Sequence, residues 1–131
     1  MSISVGMVGL GAFGSEFVPL FAAHPLVGRI AICDQEPDRL NGWSARLADC
    51  GKFRPADAFA EFDDICRSDL DALVIITQHW LHAPMSAAAM EHGKHVYCAV
   101  PLLTVPDSDE IIDWCGRIVD AARRTGQLFM Y

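Results

Sequence analysis

Three glycines within six residues, Gly9, Gly11 and Gly14, follow directly on the apolar run Val5 to Val8. A strand that ends in Gly-x-Gly-x-x-Gly and runs on into a helix is a cradle for the phosphates of a dinucleotide. Gly9 lets the chain turn sharply out of the strand, Gly11 lets the backbone approach a pyrophosphate, and Gly14 lets the following helix pack close to the strand. Ala12 and Phe13 complete the turn. The helix start aims free N–H groups and the positive end of its dipole at the anion. The same spacing also fits an ordinary tight turn, so the surrounding chain decides between them.

Asp34 is the second group with chemistry to offer. It ends the apolar run Val27 to Cys33, about 20 residues past the glycines, where a carboxylate accepts the ribose hydroxyls of an adenosine. A helix cap or a solvated loop aspartate fits the residue taken alone; beside the glycines the ribose role is the better reading. It favours NAD over NADP, because a 2′-phosphate next to Asp34 would meet like charge worth about 1 to 4 kcal/mol at contact distance.

Metal chemistry is poorly supported. His79 and His82 are three residues apart, as are His92 and His95, but each pair straddles an element boundary. Glu61, Asp63 and Asp64 have no third ligand at matching spacing and read as a solvated helix face. The five cysteines, at 33, 50, 66, 98 and 115, are odd in number and contain no Cys-x-x-Cys pair. They read as reduced thiols and hence as a cytoplasmic protein.

The elements that position these residues alternate strand with helix. Ile3 to Val8 reads as a strand and Ala12 to about Ala23 as a helix, with Pro19 inside it and a kink expected there. Val27 to Cys33 is the second strand. Glu36, Pro37 and Asp38 open a helix that carries Leu40, Trp43 and Leu47 on one side and closes at Gly51. Lys52 to Arg54 is expected as a short third strand and Ala58 to Cys66 as an amphipathic helix. Asp71 to Thr77 holds the most strongly β run, Leu73 to Ile76, without polar alternation, as in a central parallel strand covered on both faces. A helix over Leu81 to His92, a fifth strand over His95 to Cys98, a helix from Asp107 to Gly126 with acids first and Arg123 and Arg124 last, and a strand over Gln127 to Tyr131 complete the chain. The expected fold is α/β: a doubly wound parallel six-stranded sheet in one domain, in the order 3-2-1-4-5-6.

At 131 residues the chain is one domain long, and 52% apolar against 21% charged residues argues for a packed core. A net charge of −7 without a basic run argues against nucleic acid or an anionic membrane as partner. The longest strongly apolar run, Ala72 to Ile76, is too short to span a bilayer, and no leader pattern precedes the first strand.

The second half is more specific. Asp71 through Thr77, His82, Gly93, Lys94, His95, Val96 and Pro101, taken with the glycine loop and Asp34, resembles the cofactor domain of the superfamily of glucose-fructose oxidoreductase, inositol dehydrogenase and rhizopine-catabolism oxidoreductases. The resemblance covers essentially the whole chain. It implies that Thr77, Gln78 and His82, in place of a Thr-Pro-Asn-x-x-His pattern, and Ala99 with Pro101, in place of a Glu-Lys-Pro pattern, line the nicotinamide half of a bound NAD.

Gln78, His79 and Ala99 depart from these patterns, and Val100 stands where the family has a lysine that handles the substrate proton. Valine can neither carry a proton nor stabilise a developing alkoxide, so no catalytic residue is assigned. A related branch with a hydrophobic residue before that proline includes NAD-dependent glycosidases.

The resemblance further implies a separate substrate domain after Tyr131, so the chain is expected to be the cofactor domain of a longer oxidoreductase acting on a sugar, polyol or related hydroxylated substrate. Alone it would bind NAD without turnover. A non-catalytic NAD-binding module is the alternative reading, and a homo-oligomer is compatible with either.

Overall fold

The computed structural model describes all 131 residues. Six strands, β1 (Ile3–Val8), β2 (Val27–Cys33), β3 (Ala58–Phe59), β4 (Ala72–Ile75), β5 (His95–Cys98) and β6 (Phe129–Met130), form one sheet in the order β3-β2-β1-β4-β5-β6. Every neighbouring pair is parallel. The strand order expected from the sequence is the one observed.

Side chains alternate across this sheet, which is why its strands are apolar on both faces. Val5, Met7, Ile30, Ile32, Val74 and Ile76 pack on one side with Val18 and Leu47, from α1 (Val18–Ala23) and α2 (Pro37–Leu47). Val8, Ala31, Cys33, Leu73 and Ile75 pack on the other with Ile65, Met90 and Ile118, from α3 (Phe62–Arg67), α4 (His82–Glu91) and α5 (Ser108–Thr125). Such a two-faced core is what crossover helices impose on a parallel sheet.

The register lines up the carboxyl ends of the central strands. Val8 sits beside Cys33 and Ile75, and Ile75 beside Cys98. The ladder then extends one rung into the loops: Gly9 N–H donates to the Cys33 carbonyl at 2.9 Å, Ile76 N–H to Val8 at 2.9 Å and Ala99 N–H to Ile75 at 3.0 Å. The residues after three strands are thereby held by backbone hydrogen bonds rather than left on mobile loops.

Several expected boundaries move. The helix expected over Ala12 to Ala23 is split into a 3-10 turn, Gly14–Glu16, and the shorter α1. Pro19 lies in the first turn of α1, where its missing N–H costs nothing and its position calls for no kink. The third strand is Ala58–Phe59, not Lys52 to Arg54, because the chain pairs with Ile32 and Cys33 only after a 3-10 turn at Pro55–Asp57. Buried Asp57 fixes that turn, accepting hydrogen bonds from Arg29 and Arg54. The helix expected from Ala58 therefore starts at Phe62. No helix is long and apolar enough to cross a membrane.

Candidate cofactor-binding site

A crevice of about 650 Å3 opens along the carboxyl edge of the sheet, within the range usual for small-molecule and cofactor sites. It brings together Gly9, Gly11, Phe13, Gly14, Asp34, Thr77, Gln78, His82, Ala99 and Val100 from opposite ends of the sequence. Ala12 and Pro101 do not line it, although each has a role through its backbone.

The three glycines separate into two kinds. Gly9 has φ +93°, and a Cβ there would lie 2.0 Å from the Ile76 carbonyl oxygen; a Cβ on Gly14 would lie 2.1 Å from the Gly9 carbonyl oxygen. Both glycines are demanded by the fold itself. At Gly11 a Cβ would meet only Arg39 Nη1, at 3.9 Å, so nothing inside the protein requires a glycine there. The open side faces the crevice, where a ligand would approach the backbone.

The backbone of the loop carries matching donors. Ser15 N–H turns back to the Gly11 carbonyl, Glu16 N–H to Phe13 and Phe17 N–H to Gly14. The N–H groups of Gly11, Ala12 and Phe13 have no such acceptor in the chain. Successive free N–H groups of this kind hold a phosphate oxygen. Because α1 is only six residues long and preceded by a 3-10 turn, these N–H groups, rather than a long helix dipole, supply the positive field.

Asp34 faces the same space and is also structural. Its Oδ2 accepts from Leu10 N–H at 2.7 Å and its Oδ1 from Glu36 N–H at 2.8 Å. A carboxylate has about four lone-pair sites, so two remain for ribose hydroxyls. Arg39, in the first turn of α2, places Nη1 3.7 Å from Asp34 Oδ2 and lines the crevice beside Glu36 and Glu61. Cys33, at the same edge, is held inert: burial, then the charge of Asp34, pushes its thiol up to about 12.

On the far wall, His82 is only 1% exposed. Its Nδ1 lies 2.7 Å from the Pro101 carbonyl oxygen and its Nε2 3.0 Å from the Thr77 carbonyl oxygen and 3.3 Å from Thr77 N. With the proton on Nδ1 the ring donates to Pro101 and accepts from Thr77 N–H. The imidazole thus ties the turn after β4 to the turn after β5, where the Val100–Pro101 peptide bond is cis. His82→Ala should lower stability by about 2 to 3 kcal/mol through the lost hydrogen bonds and the cavity left behind. Urea unfolding measures this, and a change below about 0.5 kcal/mol would show that the tie is dispensable.

His79 and Trp80, in the 3-10 turn His79–Leu81, are exposed at the crevice together with Val100. The sequence reading assigns no binding role to Trp80, Arg39, Glu36, Glu61 or Phe62. Trp80, Arg39 and Glu36 follow the ends of strands or start helices, a position that flags them; Glu61 and Phe62 are hidden by the expectation of a third strand at Lys52 to Arg54. No three His, Cys, Asp or Glu side chains come close enough to hold a metal ion.

A family model described as an oxidoreductase family with an NAD-binding Rossmann fold matches residues 3–131. A glycosyl hydrolase family 109 protein of Saccharopolyspora erythraea is 35% identical over 128 residues, which is 95% of this chain and 27% of that protein. One from Porphyromonas gingivalis is 33% identical over 122 residues, 88% of this chain and 26% of that protein. The chain therefore spans about a quarter of the length of these relatives.

Among solved structures, scyllo-inositol dehydrogenase from Lactobacillus casei, with bound NAD(H) and scyllo-inositol, superposes with a TM-score of 0.80 at 25% identity, covering 99% of this chain and 36% of that one. The 3-ketoreductase KijD10 from Actinomadura kijaniata, in complex with NADP and TDP-benzene, does so with a TM-score of 0.80 at 26% identity, covering 99% and 37%.

Proposed function

The chain belongs to the oxidoreductase family with an NAD-binding Rossmann fold, and from that premise we propose that it is the dinucleotide-binding unit of an oxidoreductase acting on a sugar, polyol or related hydroxylated substrate. When bound, the cofactor supplies the hydride acceptor. The residues of this chain bind it. The free N–H groups of Gly11, Ala12 and Phe13 hold the pyrophosphate, Asp34 takes the adenosine ribose, and the turns Thr77–His82 and Ala99–Pro101 border the nicotinamide. Ala12 and Pro101 contribute through backbone, the former by its N–H, the latter by the carbonyl that fixes His82.

NAD is the proposed cofactor in preference to NADP. Asp34, Glu36 and Glu61 line the ribose end against one arginine, Arg39, so a 2′-phosphate meets net negative charge. Both cofactors occur among structural neighbours, NAD(H) in the inositol dehydrogenase and NADP in the ketoreductase. The substrate is assigned to a domain outside these 131 residues, in keeping with the small share of the relatives' length that the chain spans.

The observation that carries the proposal is Gly11, a glycine with open space at its Cβ and a free N–H, directly after the Leu10 N–H that Asp34 accepts. Gly11→Ala should leave folding within about 0.5 kcal/mol and weaken NAD about tenfold, since the added methyl stands where the phosphate approaches. Isothermal titration with NAD and NADP, alongside urea unfolding, reads both quantities. A wild-type chain that binds no dinucleotide, or a variant that binds NAD as tightly as wild type, would overturn the proposal.

Glycoside cleavage with the same cofactor is the second reading. It is favoured by the glycosyl hydrolase family 109 relatives, at up to 35% identity, and by Val100 at the position of the family lysine. A chromogenic glycoside assay with added NAD, on the protein in its longer form, separates the two.

A further inference from the structure

The crevice has a proton-handling gap on its nicotinamide side. Asp34 fixes the adenosine end at β2 and the glycine loop fixes the phosphates, so the nicotinamide falls toward the loops after β4 and β5. Val100, 66% exposed there, offers no titratable atom. Only two titratable side chains line this side, His79 and His82. His82 is buried and both its ring nitrogens are taken by backbone groups. His79 is different in each respect: it is exposed to the crevice, its ring stands 5.6 Å from that of His82, and it takes no hydrogen bond from the protein.

We propose that His79 is the acid–base group of this crevice, exchanging a proton with the substrate hydroxyl as hydride moves to or from the nicotinamide. The inference rests on the oxidoreductase reading above. In the oxidative direction the substrate O–H bond breaks and an N–H bond forms on the imidazole. The two electrons of the adjacent C–H bond leave as hydride to the oxidised nicotinamide cofactor, and the alcohol becomes a carbonyl; the imidazolium then returns its proton to water. A histidine suits the step because its ordinary pKa lies near neutrality. His82, fixed by the Pro101 and Thr77 carbonyls, gives the His79 ring a rigid neighbour at 5.6 Å.

The test compares oxidised and reduced cofactor on the 131-residue chain by following the histidine Cε1–H signals across pH, with His79→Gln assigning the resonance. NAD+ and NADH carry the same phosphates and differ by the positive charge of the nicotinamide ring. The other charged or titratable groups lining the crevice are His82 on the same side and Cys33, Asp34, Glu36, Arg39 and Glu61 on the other, and they are common to both complexes.

If His79 borders the nicotinamide, saturating NAD+ moves its titration midpoint to lower pH than saturating NADH does, by about half a unit or more, because like charge at several ångströms disfavours the imidazolium. His24, His92 and His95, away from the crevice, titrate alike in both complexes. Equal His79 midpoints in the two complexes would overturn the assignment while leaving cofactor binding intact. Binding of neither form would remove the oxidoreductase reading along with it.

Discussion

Gly9→Ala is expected to destabilise the chain by about 3 to 5 kcal/mol, combining the strain of an alanine at positive φ with overlap that the loop cannot relieve. The φ of +93° belongs to a region that L side chains avoid, and the new Cβ would lie 2.0 Å from the Ile76 oxygen and 2.8 Å from the Ile76 carbonyl carbon. Both partners in that overlap are backbone. Gly9 N–H is bonded to Cys33 and Ile76 N–H to Val8, so relief would require breaking the rung that extends the ladder beyond the strand ends. Gly14→Ala meets the Gly9 carbonyl from the other side at 2.1 Å and should behave similarly. Urea unfolding followed by circular dichroism measures the loss; a change below about 1 kcal/mol would show that the loop can rebuild around a methyl group. The contrast with Gly11→Ala is the informative part, because three residues of one motif then divide into folding and binding roles.

Asp34→Ala should cost both binding and stability. The carboxylate fixes the Leu10 and Glu36 N–H groups, and charge-assisted hydrogen bonds of this kind contribute about 1.5 to 3 kcal/mol each. A stability loss of about 2 to 4 kcal/mol is expected, since exposed Glu36 regains water while Leu10 does not. NAD affinity should fall about 100-fold, from the lost ribose acceptor together with a loosened glycine loop. NADP should lose less, because the same change removes repulsion of the 2′-phosphate and leaves Arg39 beside it. Asp34→Asn keeps one acceptor and should recover part of the stability without restoring the preference for NAD. Calorimetric titration of both dinucleotides into both variants checks this. An Asp34→Ala chain that binds NAD within about threefold of wild type would confine Asp34 to the structural role its two backbone contacts already show.

Parts of this site were legible in the residues because local chemistry decides them. A strand ending in spaced glycines, an acid at the end of the next strand, and apolar runs without polar alternation each reflect a constraint that acts within a few residues. The third strand was not legible. Ala58–Phe59 is two residues long and carries no periodicity; its place depends on Asp57 reaching Arg29, 28 residues earlier in the chain. Misplacing it also hid Ala60, Glu61 and Phe62 as crevice residues. The proline in the first helix misled for the opposite reason, since its position in a first turn rather than an interior depends on where the glycine loop lets the helix begin.

The sequence by itself determined the alternation of strand and helix, the strand order, the glycine loop after the first strand and the acid after the second, which share one crevice, all consequences of short-range sterics and of apolar patterning. Tertiary structure decided how residues of the same type divide their work. Gly9 and Gly14 are closed in by neighbouring carbonyls whereas Gly11 is open. His82 is buried, held by Thr77 in its own turn and by Pro101, 19 residues further along the chain, and His79, three residues before it, faces the crevice. Spacing cannot separate such pairs. What separates them is which distant backbone groups the fold brings against each, and that is fixed only when the carboxyl ends of the strands are drawn into one line.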